Sequence, residues 1–283
     1  MLSGNVHPHP GPNNDLTICH TNIRSLKAED RLTHIRCDLA LHNDIITVSE
    51  TWLTMNDNDD LFKLQGFQAP FRRDRLAGAQ GYGGVLAWVK DSIACKRRLD
   101  FESPDIESMW LEIRSNNNKF FLCVLYRAES NTDYSFWEIL QDQIDLVLQE
   151  EKPKIILTGD LNADPPTRHG ILLKQFANVN NMTVLVDQPT RITLNKSSIL
   201  DQFITNVPHY AKDINVLPPV SLNDHCTIVM ECQFRVKTGR AHKRIMWNYN
   251  ESNFDLYRDR LKATNFDECF RAEMVDRKRN ISQ

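Results

Sequence analysis

Lys154-Ile155-Ile156-Leu157-Thr158-Gly159-Asp160-Leu161-Asn162 is the stretch on which the fold turns. A short β-rich apolar run ends directly in an acidic motif, which is how a buried strand delivers a polar residue to the edge of a sheet. Asp44-Ile45-Ile46-Thr47-Val48 repeats the arrangement and ends in Ser49-Glu50-Thr51. Both carboxylates, Asp160 and Glu50, are therefore expected at strand C-termini.

Working outward, residues 83–89, 108–113 and 120–126 also read as strands, the first led in by Gly81-Tyr82-Gly83-Gly84 and the last two joined by a polar turn over 115–118. Helical spacing appears at Leu32, Ile35 and Leu39, then at Phe136, Leu140, Ile144, Val147 and Leu148, where Ser135 and Glu138 have the spacing of a capping box. A weaker helical pattern covers 169–181. Strands and helices alternating around two acidic strand ends predict an α/β fold, a four-layered sandwich of two packed mixed β-sheets flanked by helices.

Composition sets the limits. The 283 residues are 41% hydrophobic and 25% charged, the profile of one catalytic domain with short flanks. The seven cysteines, at 19, 37, 95, 123, 226, 232 and 269, include no pair with the two-residue gap of a zinc knuckle or redox pair, so free thiols in a reducing compartment are expected. No run reaches the ~20 apolar residues of a membrane helix, and residues 1–14 hold no signal-peptide core. The net charge of −3 hides an uneven distribution, with basic clusters at 72–75, 96–98 and 235–244. Local field rather than net charge governs attraction of phosphate.

Taken singly, the polar motifs are ambiguous. Asp160-Leu161-Asn162 also suits an Asx turn closing a strand, Glu50 a surface residue at a helix start, Asp224-His225 a surface pair, and Tyr126 a half-buried strand aromatic. Their order along the chain is what makes them a set.

Asn22, Glu50, Tyr126, Asp160 with Asn162, Asp201, and Asp224 with His225 resemble the active-site set of the endonuclease/exonuclease/phosphatase superfamily, which includes DNase I, exonuclease III and the apurinic endonucleases. The wording narrows further. Asn22-Ile23-Arg24-Ser25-Leu26, Glu50-Thr51-Trp52-Leu53, Gly83-Gly84-Val85, Leu125-Tyr126-Arg127, Gly159-Asp160-Leu161-Asn162, Pro189-Thr190-Arg191 and Leu200-Asp201-Gln202-Phe203-Ile204-Thr205-Asn206 resemble, in order, the endonuclease domain of LINE-type non-LTR retrotransposons over residues 15–234. Ala128 stands where relatives usually have proline.

The resemblance implies an Mg²⁺- or Mn²⁺-dependent endonuclease that nicks double-stranded DNA and leaves a 3′-hydroxyl to prime reverse transcription. Phosphodiester hydrolysis needs a deprotonated water, neutralised phosphoryl charge and a stabilised leaving oxygen, and hard oxygen ligands select such metals. By resemblance, Glu50 is the main metal ligand, with Asn22 and Asp224 beside it. Asp160 orients or deprotonates the water, and Asn162 donates to a phosphate oxygen. His225 contacts the scissile phosphate as imidazolium or acts as the base, held in its tautomer by Asp201. Tyr126 and Ser198 contact phosphate, and Arg24, Arg127 and Arg191 join the substrate contacts. Substrate choice is expected from loops 72–80 and 190–198, since catalytic groups touch only backbone phosphate.

The ends carry separate resemblances. Asn5-Val6-His7-Pro8-His9-Pro10-Gly11-Pro12 resembles, with departures, the ribosome-skipping peptides that precede some retrotransposon endonucleases, and residues 1–14 are expected to be a flexible leader. Residues 235–283 resemble the basic connector toward a reverse transcriptase, which is expected downstream in the parent element, with Trp247-Asn248-Tyr249 and a short helix around 254–261. The nucleus is the expected workplace. An apurinic endonuclease or phosphatase of the same superfamily, and a catalytically idle nucleic-acid-binding remnant, are the alternatives.

Overall fold

The computed structural model describes residues 15–75, 82–115, 118–131, 134–221, 223–233 and 254–264. The expected leader with His7 and His9, residues 76–80 of the first specificity loop, the connector 235–253 and the tail 268–283 lie outside the described residues. The chain divides into two units, Met1–Gly239 and Arg240–Gln283. Of the second, one helix is described, α4 (Phe254–Ala263), close to the expected range.

The first unit is the predicted α/β sandwich. One six-stranded sheet is formed by β1 (Leu16–Asn22), β2 (Ile45–Ser49), β3 (Phe71–Arg73), β4 (Val85–Val89), β13 (Ala211–Leu217) and β14 (Thr227–Cys232), in the order β13-β14-β1-β2-β4-β3. The other holds β5 (Ala94–Arg97), β6 (Glu107–Ser115), β7 (Asn118–Tyr126), β8 (Ile155–Asp160), β9 (Thr183–Val184) and β12 (Asp201–Thr205), ordered β5-β6-β7-β8-β12-β9. Both sheets are mixed: β1 pairs β2 and β7 pairs β8 in parallel, with antiparallel pairs elsewhere. A separate two-stranded hairpin, β10 (Arg191–Ile192) and β11 (Ser197–Ser198), lies between β9 and β12 in sequence.

Three apolar clusters make four layers. Alternate residues of the central strands, such as Ile18, Ile45, Ala87, Leu111, Leu122, Val124, Ile156, Phe203 and Ile228, meet between the two sheets. Their neighbours on the opposite faces bury helices. Trp110, Phe121, Cys123, Ile155 and Leu157 take Phe136, Leu140, Ile144 and Val147 of α2 (Ser135–Val147) and Leu173 and Phe176 of α3 (Arg168–Val179). On the other outer face, Ile46, Val48, Leu86 and Trp88 take Ile35 and Leu39. With each fully buried side chain of this kind contributing roughly 1.5–3 kcal/mol, both strand faces are stabilised, which is why the strands read as continuous apolar runs rather than alternating ones.

Two local expectations are corrected. Ser135 is not a capping residue: Tyr134 is the N-cap of α2 and makes no side-chain capping bond, so the Ser135/Glu138 spacing is not used as a capping box. The helix around Leu32, Ile35 and Leu39 is a single α-turn, α1 (Arg31–His34), that runs into a π-helical turn, Ile35–Leu39. Thr167, by contrast, caps α3 by accepting from the Gly170 amide at 3.2 Å. The strands pair through Ser115 and Asn118 as expected of a tight polar turn. Each of the six described cysteines is a free thiol, and no helix among the described residues is long and apolar enough to cross a membrane.

Gly159, the residue before the acidic end of β8, lies flat against β7. A Cβ there would stand 1.9 Å from the Leu125 carbonyl oxygen, an approach that backbone pairing on both sides forbids relaxing. Gly159→Ala is expected to lower stability by about 3 kcal/mol or more, read as a fall in the urea midpoint at unchanged slope.

Candidate active site

The topology gathers polar residues at one edge. Strands β1, β2, β7 and β8 end there, in Asn22, Ser49 with Glu50, Tyr126 and Asp160. Because β12 runs antiparallel to β8 and β14 antiparallel to β1, their first residues reach the same edge. Asp201 thus lies directly opposite Asp160, and His225 comes just before β14. Tyr126 flanks Asp160 on the other side in the parallel register.

Asn22 sits at the centre. Its side-chain amide donates to Glu50 Oε1 at 2.7 Å and to Asp160 Oδ2 at 2.8 Å, joining a carboxylate from each sheet. Tyr126 Oη donates to the same Glu50 oxygen at 3.1 Å, and Trp52 Nε1 to its other oxygen at 3.3 Å. Glu50 is delivered by a left-handed backbone, φ 53°, as are Arg24, Ser25, Trp52 and Asn162. Such non-glycine residues cost of order 1–3 kcal/mol each where the surroundings hold them, and their clustering around one centre marks it as functional. The Asp160 carboxyl is pushed well above the usual carboxylate range by burial and by Asp201 beside it, against the hydrogen bonds of Asn22 and the Asn162 amide.

His225 is buried and its Nδ1 lies 2.9 Å from Asp201 Oδ2. Nδ1–H therefore donates to Asp201, leaving Nε2 as the atom available to a substrate. Burial alone would lower the His225 pKa, but the Asp201 carboxylate overrides it and lifts the imidazole to about 9. Behind Asp201 lies a second buried imidazole, His20, whose Nε2 is 3.7 Å from Asp201 Oδ1. Thr47 Oγ1 donates to the Cys19 carbonyl at 2.8 Å, so it accepts from His20 Nδ1–H at 3.0 Å. Burial holds His20 neutral, at about 4; its bare Nε2 gives Asp201 Oδ1 no donor, and that buried oxygen has no hydrogen-bond partner.

The remaining expected residues separate into two groups. Asp224 is paired with Arg191 Nε at 2.8 Å and with Arg24 Nη1 at 3.1 Å. Those two cations hold its carboxyl below the usual range against burial, which would raise it. Arg191 and Ser198 line a cavity of about 260 Å³ beside the centre, together with Asn162, Asp164, Thr193 and Lys196. Asn162 faces this cavity while donating its side-chain amide to the Arg127 carbonyl at 2.9 Å. Arg127 is 2% exposed, and its guanidinium bonds the carbonyls of Leu161, Asn131 and Asn162 at 2.7, 2.5 and 2.6 Å. It ties the loops after β7 and β8 together, so most of its guanidinium is spent on backbone.

Three contributors were not singled out by sequence. Thr190 Oγ1 accepts from the amides of Leu200 and Asp201, both at 3.0 Å, and fixes the start of β12. Asn223 bridges by accepting from the Asp224 amide and donating to the Asn22 carbonyl. Glu107 takes the Gly84 amide at 2.5 Å and pins the glycine pair beside Glu50. Thr190 lies within the motif Pro189-Thr190-Arg191 and Asn223 directly precedes Asp224-His225, so the signal was there; Glu107, a lone acid at a strand start, gave none.

The residues present fit a divalent cation. Glu50 is surrounded by the neutral donors Asn22, Tyr126 and Trp52, and no lysine or arginine pairs with it among the described residues, which leaves a carboxylate short of positive charge. The group of three ligand atoms within 4.8 Å of one another is Asp160, Asp201 and His225, without Glu50 or Asp224. Two of those three already share a short hydrogen bond.

A family model described as the endonuclease/exonuclease/phosphatase family matches residues 13–223, and the chain belongs to that family, whose members are divalent-metal-dependent nucleases and phosphatases. The match ends just before Asp224 and His225. Solved structures share the fold. The endonuclease domain of TRAS1, a telomere-specific non-LTR retrotransposon, aligns with TM-score 0.62 at 15% identity over 78% of this chain and 99% of that one. The AP endonuclease LMAP from Leishmania major gives 0.61 at 15% over 77% and 87%. A variant of the 3′ phosphatase NExo from Neisseria, bound to product DNA hairpin, gives 0.58 at 13% over 77% and 99%. Comparison with curated proteins by sequence found no match.

Because the folded His225 pKa lies above its ordinary 6.5, the His225–Asp201 pair stabilises the fold fully below pH ~6.5 and loses that contribution as pH rises through about 9. Asp201→Asn should lower the His225 midpoint by about 1–3 units, the usual effect of an opposite charge at this range. Ring-proton NMR titration reads it directly, and an unmoved midpoint would refute the assignment.

Proposed function

We propose that this member of the endonuclease/exonuclease/phosphatase family is a DNA endonuclease that nicks duplex DNA, leaving a 3′-hydroxyl, and derives from or serves a LINE-type element in the nucleus. The observation that carries a phosphodiesterase is the junction of Asn22, Glu50, Asp160 and the Asp201–His225 pair at one edge. The seven ordered LINE-like motifs support the finer reading, alongside a fold shared with the TRAS1 domain.

The electrostatics support distinct roles for the two candidate bases. An imidazole raised to about 9 is charged at neutral pH and has no lone pair for a proton, so His225 Nε2–H donates to the scissile phosphate and stabilises charge as the bond breaks. Asp160, raised but held by Asn22 and the Asn162 amide, is the carboxylate that orients water and takes its proton. Tyr126 and Asn22 hold Glu50 in place. Mg²⁺ or Mn²⁺, held chiefly by Glu50, would supply Lewis-acid neutralisation of phosphate charge.

A second reading is favoured by the cavity of about 260 Å³ beside Asn162 and Ser198: an apurinic endonuclease or 3′ phosphatase, whose fold neighbours are also present. The ordered LINE-like motifs have no counterpart on the side of this reading, so we place it second.

Supercoiled plasmid incubated with Mg²⁺ should be converted to nicked circle by the wild type. Glu50→Gln and His225→Ala should each lose at least about 100-fold in rate. Preference for an abasic oligonucleotide over intact plasmid would shift the assignment to the second reading, and no cleavage with any divalent metal would remove both. The pH profile of kcat/KM should rise through the elevated Asp160 value, since its base form is needed, and fall as His225 deprotonates near 9.

A further inference from the structure

Asp224 carries more positive charge than a metal ligand should. Arg191 Nε donates to its Oδ2 at 2.8 Å, while Arg24 Nη1 stands 3.1 Å from Oδ1 as an ion pair and leaves that buried oxygen without a hydrogen-bond partner. Both oxygens thus face guanidinium groups, and a dication there would be repelled by both. The acid is the most covered of the three, its side chain 19% exposed against 41% for Arg24 and 27% for Arg191. The charges therefore point outward while their anchor points in.

The two arginines arrive from different directions and are fixed by backbone. Arg24 follows β1, where its left-handed φ of 46° is set by a bond from its amide to Asn22 Oδ1 at 3.1 Å and by the Ser25 amide on the Glu50 carbonyl at 2.7 Å. Arg191 opens the hairpin β10–β11, where it bridges His225 in antiparallel register and the next amide, Ile192, donates to the Asp224 carbonyl at 2.9 Å. Asn223 closes the ring by holding the Asp224 amide and the Asn22 carbonyl. The links thus tie both arginines to the backbone or side chains of Asn22, Glu50, Asp224 and His225, around the groups that would face the reacting phosphate.

Stability does not account for this doublet, because exposed ion pairs contribute little, of order 0–1 kcal/mol. Orientation does. A free arginine side chain carries about 2 kcal/mol of rotamer entropy, and Asp224 removes part of it from two arginines at once. Each guanidinium has five N–H donors in a planar fork and keeps some of them for planar or tetrahedral oxyanions.

We propose that Asp224 is a positioning residue rather than a metal ligand: it presents Arg24 and Arg191 to the backbone phosphates on either side of the scissile phosphodiester. This rests on the DNA-nicking reading of the same site and deepens it.

The test uses the full chain with Asp224→Asn, Arg24→Ala, Arg191→Ala and the two double variants. Binding of a short fluorescent duplex is followed by anisotropy in EDTA across a salt series, and Mn²⁺ binding to the free protein by calorimetry. Each arginine substitution alone should weaken duplex binding by about three- to tenfold and reduce the salt slope by about one. In the Asp224→Asn background the same substitutions should cost less than about twofold, because the arginines are already unplaced. Mn²⁺ affinity should be unchanged by Asp224→Asn. Two results overturn the proposal while leaving the nuclease reading intact: arginine effects of full size in both backgrounds, or a tenfold or greater loss of Mn²⁺ affinity in Asp224→Asn. A wild type that binds no duplex sinks both together.

Discussion

One amide holds the active edge together. Asn22 is the last residue of β1 in one sheet, and its Nδ2 reaches Glu50 in the same sheet and Asp160 in the other. Two carboxylates drawn to one spot repel, and both are at least partly shielded from the bulk water that would screen them. A neutral group with two N–H donors and no charge is suited to sit between them, because it satisfies one oxygen of each without neutralising either. A lysine here would quench the charge that a divalent cation needs; an alanine would leave two acids facing each other unsatisfied.

The rest of the architecture serves that geometry. Sheet packing fixes the distance between Glu50 and Asp160, and the register of β12 against β8 places Asp201 opposite Asp160. The like-charge proximity that raises Asp160 is the same proximity that lets Asp201 lift His225. One buried acid therefore favours the bound proton on both of its neighbours, making Asp160 a stronger base than an ordinary carboxylate and His225 a cation at neutral pH. The cost appears as left-handed backbone at Glu50, Trp52 and Asn162, and three apolar clusters on the sheet faces offset it.

Much of this was legible in the sequence. Apolar runs ending in Glu50 and Asp160 announced buried strands because both strand faces are covered, and a run of one kind cannot come from a half-exposed strand. The order of motifs gave the site's membership. What could not be read was anything set by partners far along the chain. Arg127 sits in a motif beside Tyr126, and only the three-dimensional meeting of the loops after β7 and β8 shows that carbonyls at 131, 161 and 162 consume its guanidinium. Glu107 is 23 residues from Gly84 and belongs to the other sheet, so it became a partner only through the packing of one sheet on the other. Ser135 had the right neighbour for a capping box, yet helix α2 begins one position earlier than that motif requires, with Tyr134 in the capping place.

A chain of net charge −3 is a poor attractor of a polyanion at long range, so close-range placement of cations has to do what net charge does not. Around this centre the partly exposed positive groups, Arg24 and Arg191 on either side of Asp224, lie at its rim, while the His225 imidazolium is buried with the acids. The acids lie inside, with Asp160 and Asp201 both buried. In the proposed nicking reaction, a phosphate strand laid across the rim would meet donors first and reach the carboxylates only at the reacting position. The ordering of charge from rim to floor, rather than its sum, is what would suit a chain of net negative charge to that substrate.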